Sequence, residues 1–481
     1  FRIDSWILSP SSPNYECTMS QPNILLINCD DLGYGDLGCY GSTRNKTPHL
    51  DNMAEQGLRL TDFYVASPIC SPSRGAMMTG CYPPRIGFGD FDGAGVLFPG
   101  AAIGLHQDEH TLPQLLRDAG YRTKLVGKWH CGDQPEFLPC ERGFDEYYGI
   151  PFSNDMGRQV GHEHRPPLPL VRDSKVIQEQ PAQAGLTERY TEECVRFIRD
   201  NQDGPFFLYL AHMYVHVPLF VPRQFLAASE NGGYGGAVAH IDWTTGVLLD
   251  ELRELGIDDN SIIIFTSDNG SRARDEGGSN APCRGTKGTT WEGGQRVPCI
   301  IRWPDKITAG QTSDAITSAI DFLPTLATLA GAIHPTDRQI DGLDQSAQWL
   351  GQSAESVRDT FVYYFMDRLE AVRQGDWKLH LGTTRSWGKN LTCEEPALFN
   401  LREDVGEQTN LYADHPDIVA TLQDVADSVR ADLGDSFQGV EGAGRRPHGR
   451  IENPQPLTTY DPDHPYMVAM YDSADSKVMA G

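Results

Sequence analysis

Cys70-Ser71-Pro72-Ser73-Arg74, continuing as Gly75-Ala76-Met77-Met78-Thr79-Gly80, is the stretch around which the chain is organised. Pro72 suits the first turn of a helix, where its missing N–H costs nothing. Ser73 and Arg74 begin a helix that runs to about Thr79, and Gly80 is placed to stop it. Residue 70 therefore stands at a helix N-terminus, where the positive end of the peptide dipoles favours an anion. Taken alone, the stretch equally suits a buried thiol before an ordinary helix, so the rest of the chain has to decide.

The chain has 481 residues, enough for a large core and two lobes. Its 40 Lys and Arg stand against 66 Asp and Glu, a formal net charge of -26. Polyanion-binding surfaces carry the opposite sign, so nucleic acid is not an expected partner, and any attraction for an anionic substrate must be local. No apolar run is long enough to span a membrane. Eleven cysteines are scattered without a C-x-x-C pair or zinc spacing, and no disulfide framework is expected. Residues 1–18 read as a leader segment without the pattern of an intact signal peptide, and Met19 reads as a natural start.

Asn23-Ile24-Leu25-Leu26-Ile27-Asn28 reads as a buried strand ending in Cys29-Asp30-Asp31 and a glycine-rich loop. Paired carboxylates there suit a hard cation, or simply a turn. Residues 121–127 form a strand delivering Lys128-Trp129-His130, and 205–211 a strand followed by His216. Residues 261–266 form a strand followed by Asp268-Asn269-Gly270, and 297–303 a further strand. Helices are expected over 47–57, 111–120, 187–201, 236–255 and 320–330. Residues 132–186 read as a long irregular wall with a basic cluster of Arg158, His162, His164 and Arg165.

Alternating strands and helices predict an α/β fold: a large, mostly parallel sheet covered by helices on both faces. In such sheets ligands bind beyond the carboxyl ends of the strands, where the polar clusters fall. Residues 19–350 are read as the catalytic domain. Residues 351–481 are read as a smaller C-terminal α+β lobe, with short antiparallel strands near 360–365, 369–374, 377–380 and 398–401, a helix over 416–433 and an extended tail.

The cysteine stretch, Asn23–Gly41, Gly127–His130, Ser267–Gly270, Gly285–Gly294 and Leu398–Leu411 resemble successive blocks of the type I, formylglycine-dependent sulfatases. The likeness is nearest the arylsulfatase A and N-acetylgalactosamine-6-sulfatase branch of the alkaline phosphatase superfamily. It implies that Cys70 is oxidised to formylglycine by a sulfatase-maturing enzyme, and that the aldehyde hydrate attacks sulfur. It implies a calcium ion, or magnesium, held by Asp30, Asp31, Asp268 and Asn269 beside residue 70. It also implies that Arg74, Lys128 and Lys287 neutralise the sulfate, His216 protonates the leaving alcohol in a role open also to Lys287, His130 takes a proton from the nucleophile, and Ser153 lines the sulfate pocket.

The expected reaction is hydrolysis of a sulfate monoester, with the loops and basic cluster suggesting a sulfated poly- or oligosaccharide of marine type. Rival readings are a phosphate or phosphonate ester hydrolase of the same superfamily, and a carbohydrate-binding pseudoenzyme if Cys70 is unmodified. A periplasmic or secreted location is expected.

Overall fold

The computed structural model of the chain describes residues 21–159, 161–354, 356–382 and 392–464. The leader reading of residues 1–18, Met19 and the part of the tail past residue 464 lie outside them. Ten strands form the main sheet: β1 (Asn23–Cys29), β2 (Leu58–Leu60), β3 (Arg122–Gly127), β4 (Glu146–Gly149), β5 (Pro169–Arg172), β6 (Lys175–Glu179), β7 (Phe206–Ala211), β8 (Ser261–Ser267), β9 (Cys299–Arg302) and β10 (Gln311–Ser313). Their spatial order is β10-β2-β9-β8-β1-β7-β3-β4-β5-β6. The central strands β8, β1, β7, β3 and β4 run parallel. The flanks add antiparallel pairs, β8 with β9, β9 with β2, β4 with β5 and β5 with β6.

Every residue of β1 is buried, because the sheet is covered on both faces. Leu25 and Ile27 enter one core, and Ile24 and Leu26 the other. The longer helices are α1 (Pro48–Glu55), α2 (Cys70–Thr79), α3 (Leu112–Asp118), α4 (Leu186–Asp200), α5 (Gly232–Glu254), α6 (Phe322–Ala330) and α7 (Pro416–Leu433). Helices α1, α4 and α5 supply the core holding Leu25, while α2, α3 and α6 supply the core holding Ile24. Gly80 stops α2 in the left-handed conformation, as its position suggested.

Two parts of the sequence reading are corrected. Residues 132–186 are not merely irregular, since they contain β4, β5 and β6. These strands are short, and they form because a sheet edge stands beside them, not because of strong propensity. Helix α5 also begins at Gly232 rather than at residue 236. Its glycine-rich first turns read poorly as helix, yet a Cβ on Gly236 would stand 3.0 Å from Val221.

The C-terminal lobe is an antiparallel sheet of β11 (Thr360–Phe365), β12 (Arg368–Gln374), β13 (Trp377–Leu381) and β14 (Pro396–Asn400). Helix α7 packs on β12 and β13. The core of this lobe includes Tyr64, Ala76 and Tyr82 from the first lobe. The tail returns across the first lobe, where Gly449–Arg450 pairs with Ile103–Gly104. No described helix is long and apolar enough to cross a membrane, and the ten described cysteines are all free.

A buried ionic network joins the lobes. Lys378 Nζ lies 2.9 Å from both Glu292 and Glu407, and donates to the Thr290 carbonyl at 2.8 Å. Tyr363 donates to Glu292 at 2.8 Å, and Arg373 reaches Asp62 at 2.6 Å. Removing one partner from such a network leaves a buried charge uncompensated. Lys378→Ala is expected to lower unfolding free energy by about 3–5 kcal/mol in chemical denaturation; a change within the error of the titration would contradict this.

On α4, Glu193 meets Lys124 at 3.1 Å and Arg172 at 2.6 Å. Burial pushes its carboxyl up, but Arg172 and Lys124 outweigh burial and bring its pKa from 4.5 to about 2. A carboxyl lowered in the folded state stabilises above its unfolded pKa. This contribution is therefore full above about pH 4.5 and lost as pH falls towards 2. The stability difference between the natural protein and Glu193→Gln should shrink over that window; a difference that does not vary with pH there would refute the coupling.

Candidate active site

Five adjacent strands deliver the polar residues to one end of the sheet. In register, Cys29 faces Ser267, Asn28 faces Ala211, Gly127 faces Ala211, and Val126 faces Tyr148. The next residues along are Asp30 and Asp31 after β1, Asp268 and Asn269 after β8, and Lys128 and His130 after β3. His216 follows β7, and Ser153 follows β4. Backbone bonds continue past the strands: Asp268 N–H donates to Cys29, Lys128 N–H to Ala211, and His130 N–H to Pro151, at 2.8–3.0 Å. Gly127 is required there, because a Cβ would stand 1.8 Å from the Ala211 carbonyl oxygen and φ is +114°. Asp31 and His130 both adopt left-handed backbone, near 64° and 62°, a conformation uncommon outside glycine.

Helix α2 runs into this strand-end cluster with all ten of its residues buried. Cys70 opens it and Arg74 lies one turn on. Arg74 Nε donates to Asp268 at 2.7 Å, its Nη1 donates to the Lys128 carbonyl at 2.9 Å, and its Nη2 lies 3.7 Å from Asp30. Lys128 is paired with Asp30 and donates to Ser153 Oγ at 3.2 Å. Lys287 meets Asp31 at 2.8 Å, and Asn269 Nδ2 donates to Asp31 at 2.7 Å. The loop bearing Lys287 is tied to both sides of the site, with Lys287 N–H on Ser271 and Gly288 N–H on Pro68, each at 2.9 Å. The structure thus brings together Asp30, Asp31, Cys70, Arg74, Lys128, His130, Ser153, His216, Asp268, Asn269 and Lys287, a set drawn from across more than half the chain.

Burial and charge set their protonation. Burial raises Asp30, but Lys128 above all, with Arg74, holds it well below the usual carboxylate range. Asp268 is pushed up to about 6 by burial, against Arg74. Burial works against charge on Lys287, yet Asp31 holds its ammonium well above the usual range. Burial raises the Cys70 thiol, only partly offset by Lys128 and Lys287. Burial and Lys128 push His130 well down. Its Nε2 lies 3.0 Å from the Leu97 carbonyl, an acceptor only, so Nε2 carries the proton. Nδ1 is left as a buried acceptor without a donor.

For His216 the sequence reading asked for an imidazolium, in a role open also to Lys287. Burial and Lys287 push it down, against Asp31, and its Nδ1 is 2.5 Å from the Val217 carbonyl. The ring is therefore neutral with its proton on Nδ1, and Nε2 stands 3.9 Å from Asp31.

The residues fit a hard cation. Asp30 Oδ1 and Asn269 Oδ1 are buried oxygens with no hydrogen-bond donor, and both belong to the expected ligand set. Asp30, Asp31 and His216 offer ligand atoms all within 4.8 Å of one another. Asp268 is engaged by Arg74 and by the Asp31 N–H at 3.3 Å. Oxygen-rich donors of this kind suit calcium or magnesium.

A cavity of about 550 Å³ opens over Cys70, Ser153, His216 and Lys287. The basic cluster of the sequence reading is divided: His162 and Arg165 line the cavity, whereas Arg158 stacks on Tyr460 at 4.7 Å. Sequence reasoning missed Arg272, Arg274 and Phe98, which also line it. The two arginines closely follow Asp268-Asn269-Gly270-Ser271, so nearness to a strand end was the signal available.

Residues 22–332 match the Sulfatase family and residues 356–441 match the C-terminal region of aryl-sulfatase. The chain is 40% identical over 448 residues to N-acetylgalactosamine-6-sulfatase of Canis lupus familiaris, covering 85% of each. It is 38% identical over 428 residues to human arylsulfatase A, covering 81% of this chain and 83% of that one. Among solved structures it resembles Ps i-CgsB in complex with k-i-k-neocarrahexaose, with a TM-score of 0.74 and 30% identity over 85% of this chain and 92% of that one.

Because burial keeps His130 neutral, its ring nitrogens should not change protonation between about pH 6.5 and 8, where an ordinary histidine titrates. Nitrogen-15 NMR should report a protonated Nε2 and a bare Nδ1 throughout, and a titration in that range would overturn the assignment.

Proposed function

The chain belongs to the sulfatase family and is a sulfuric ester hydrolase, and on that premise we propose that it removes sulfate from a sulfated carbohydrate by attack from residue 70. The observation that carries the reading is the convergence at the N-terminus of α2. One nucleophile position, three cations and two orphaned oxygens meet there beside a cavity.

An unmodified Cys70 is ill suited to the task, since a buried thiol with a raised pKa holds little thiolate. The reading therefore requires a maturing enzyme as partner. When present, formylglycine at residue 70 would supply a hydroxyl able to attack sulfur, and calcium, or magnesium, would polarise the ester and acidify that hydroxyl. Asp30, Asp31, Asp268 and Asn269 would hold the cation, with His216 at its edge. Lys128 and Lys287 bind sulfate oxygens and oppose the charge that builds up on them, while Ser153 is oriented by Lys128. Arg74 keeps Asp268 in place. His130 Nδ1, a neutral acceptor, takes a proton from residue 70. Lys287 keeps its proton firmly and is the group here able to donate to the leaving alcohol, with His216 positioning that end of the site.

A carbohydrate substrate is supported by what the relatives' names say of them: one acts on N-acetylgalactosamine-6-sulfate, and another binds a neocarrahexaose. The cavity is large enough for a sugar ring.

Protein purified from its own organism should carry an aldehyde in place of the thiol at residue 70, read by mass of the proteolytic fragment. Cys70→Ala should abolish hydrolysis of sulfate esters, and aryl sulfates should be turned over better than aryl phosphates. An intact thiol in a fully active sample would sink the proposal. Calcium at about a hundred times its dissociation constant should raise unfolding free energy by about 2.7 kcal/mol. Asp30→Asn should lose most of that gain, and equal stabilisation of the variant would place the ion elsewhere.

A further inference from the structure

Arg272 is half-buried, and its Nη1 is fully shielded from solvent with no hydrogen-bond partner among the described residues. It lines the cavity that also holds Cys70. Its position is fixed by its neighbour: the Ser271 carbonyl accepts from Asn280 Nδ2 and from Lys287 N–H, both at 2.9 Å, and Ser271 N–H donates to Asn280 at 2.8 Å. Arg272 therefore leaves the backbone one residue from a bond to the loop of Lys287. A shielded guanidinium nitrogen without an acceptor is costly to keep, and nothing among the described residues uses this one.

Two more arginines border the cavity. Arg165 is half-buried and spends one donor on the Asp155 carbonyl at 2.6 Å. Arg274 is exposed. None of the three guanidinium groups forms an ion pair among the described residues, in a chain whose formal net charge is -26. Elsewhere its buried arginines are matched by acids, as Arg302 is by Asp258 at 2.6 Å and Arg85 by Asp341 at 2.7 Å, with the exception of Arg142, which donates to the Gln107 and Glu109 carbonyls. Asp155 is the carboxylate lining the cavity, and its Oδ1 is buried without a donor. That oxygen suits a sugar hydroxyl. Lys287 is already committed to Asp31 and to the ester being cleaved, so the arginines are surplus to one sulfate.

We propose that Arg272, with Arg165 and Arg274, forms a second anion-binding subsite beside the reaction centre. The substrate sugar then carries an acidic group, a carboxylate or a second sulfate, besides the ester that is removed. This rests on the sulfatase reading above and narrows its substrate class. Guanidinium groups recognise both anions by the same paired N–H donors, so substrate chemistry has to tell them apart.

The test uses the mature full chain, with conversion at residue 70 verified by mass. Its substrates are a disaccharide series identical except at one position: neutral, carboxylated or carrying a second sulfate. A small aryl sulfate reports whether ester hydrolysis occurs at all. The doubly charged sugar should be favoured over the neutral one by about tenfold or more in kcat/KM, mainly through KM. Arg272→Ala should erase most of that preference, and Arg272→Lys should retain part of it. Whether the carboxylate or the second sulfate is favoured identifies the group. Should Arg272→Ala fail to fold, Arg274→Ala on the exposed loop reads the same ratio and should lower it. Aryl sulfate turnover without preference for a second charge, or a preference untouched by these variants, overturns the subsite and leaves the sulfatase reading standing. No turnover of any sulfate ester by verified enzyme overturns both.

Discussion

Three carboxylates buried within one strand-end cluster have to be neutralised, and the rest of the structure depends on how that is done. Asp30, Asp31 and Asp268 are each shielded from water, and an unpaired charge in that setting costs several kcal/mol. Lys128, Lys287 and Arg74 supply the balancing charges, one for each acid. In the proposed reaction two of these cations, Lys128 and Lys287, are also the ones that would meet a sulfate. Within the site Lys128 holds Asp30 in its charged form and Asp31 does the same for Lys287, as the lowered Asp30 and raised Lys287 pKa values show.

This balance spans both lobes. Arg74 is carried by α2, whose Met77 and Met78 pack towards the sheet while Ala76 joins the C-terminal core. Lys287 is carried by a glycine-rich loop whose far end, Glu292, is bound by Lys378, Tyr363 and Tyr64. Arg284, at the near end, donates to the Glu407 carbonyl at 2.8 Å and stacks on Trp291 at 3.7 Å. The C-terminal lobe touches neither Cys70 nor the carboxylates through any of these bonds, yet it fixes the loop from which Lys287 reaches them. Its contribution is positional, and the buried ionic junction gives that position its rigidity.

The two histidines show how burial assigns different work to one residue type. Both are held neutral, by burial first and by a lysine second. His130 gives its Nε2 proton to the Leu97 carbonyl and keeps Nδ1 free. His216 gives its Nδ1 proton to Val217 and turns Nε2 towards Asp31. The backbone acceptor each ring meets decides which nitrogen is available. Lys287, by contrast, keeps its charge, protected by Asp31.

By itself the sequence determined the parallel centre of the sheet, because near-continuous apolar runs such as Asn23–Asn28 have no solvated face and must be covered twice. It determined the helix at Cys70, from Pro72 and Gly80, and it placed the acids, Lys128 and the histidines just past strands, where residue type and local chain direction are enough. Only the tertiary structure decided what depends on partners distant in the chain. Strands β4 to β6 exist because an edge is there to pair with, α5 reaches back to Gly232 where Gly233 faces Leu219 and Gly235 faces Ser229 and Asn231, and Arg272 faces the cavity because Ser271 is bound to Asn280 and Lys287. Protonation was decided there too. A histidine's charge follows from its burial and its neighbours, and neither is a property of the residues beside it in sequence.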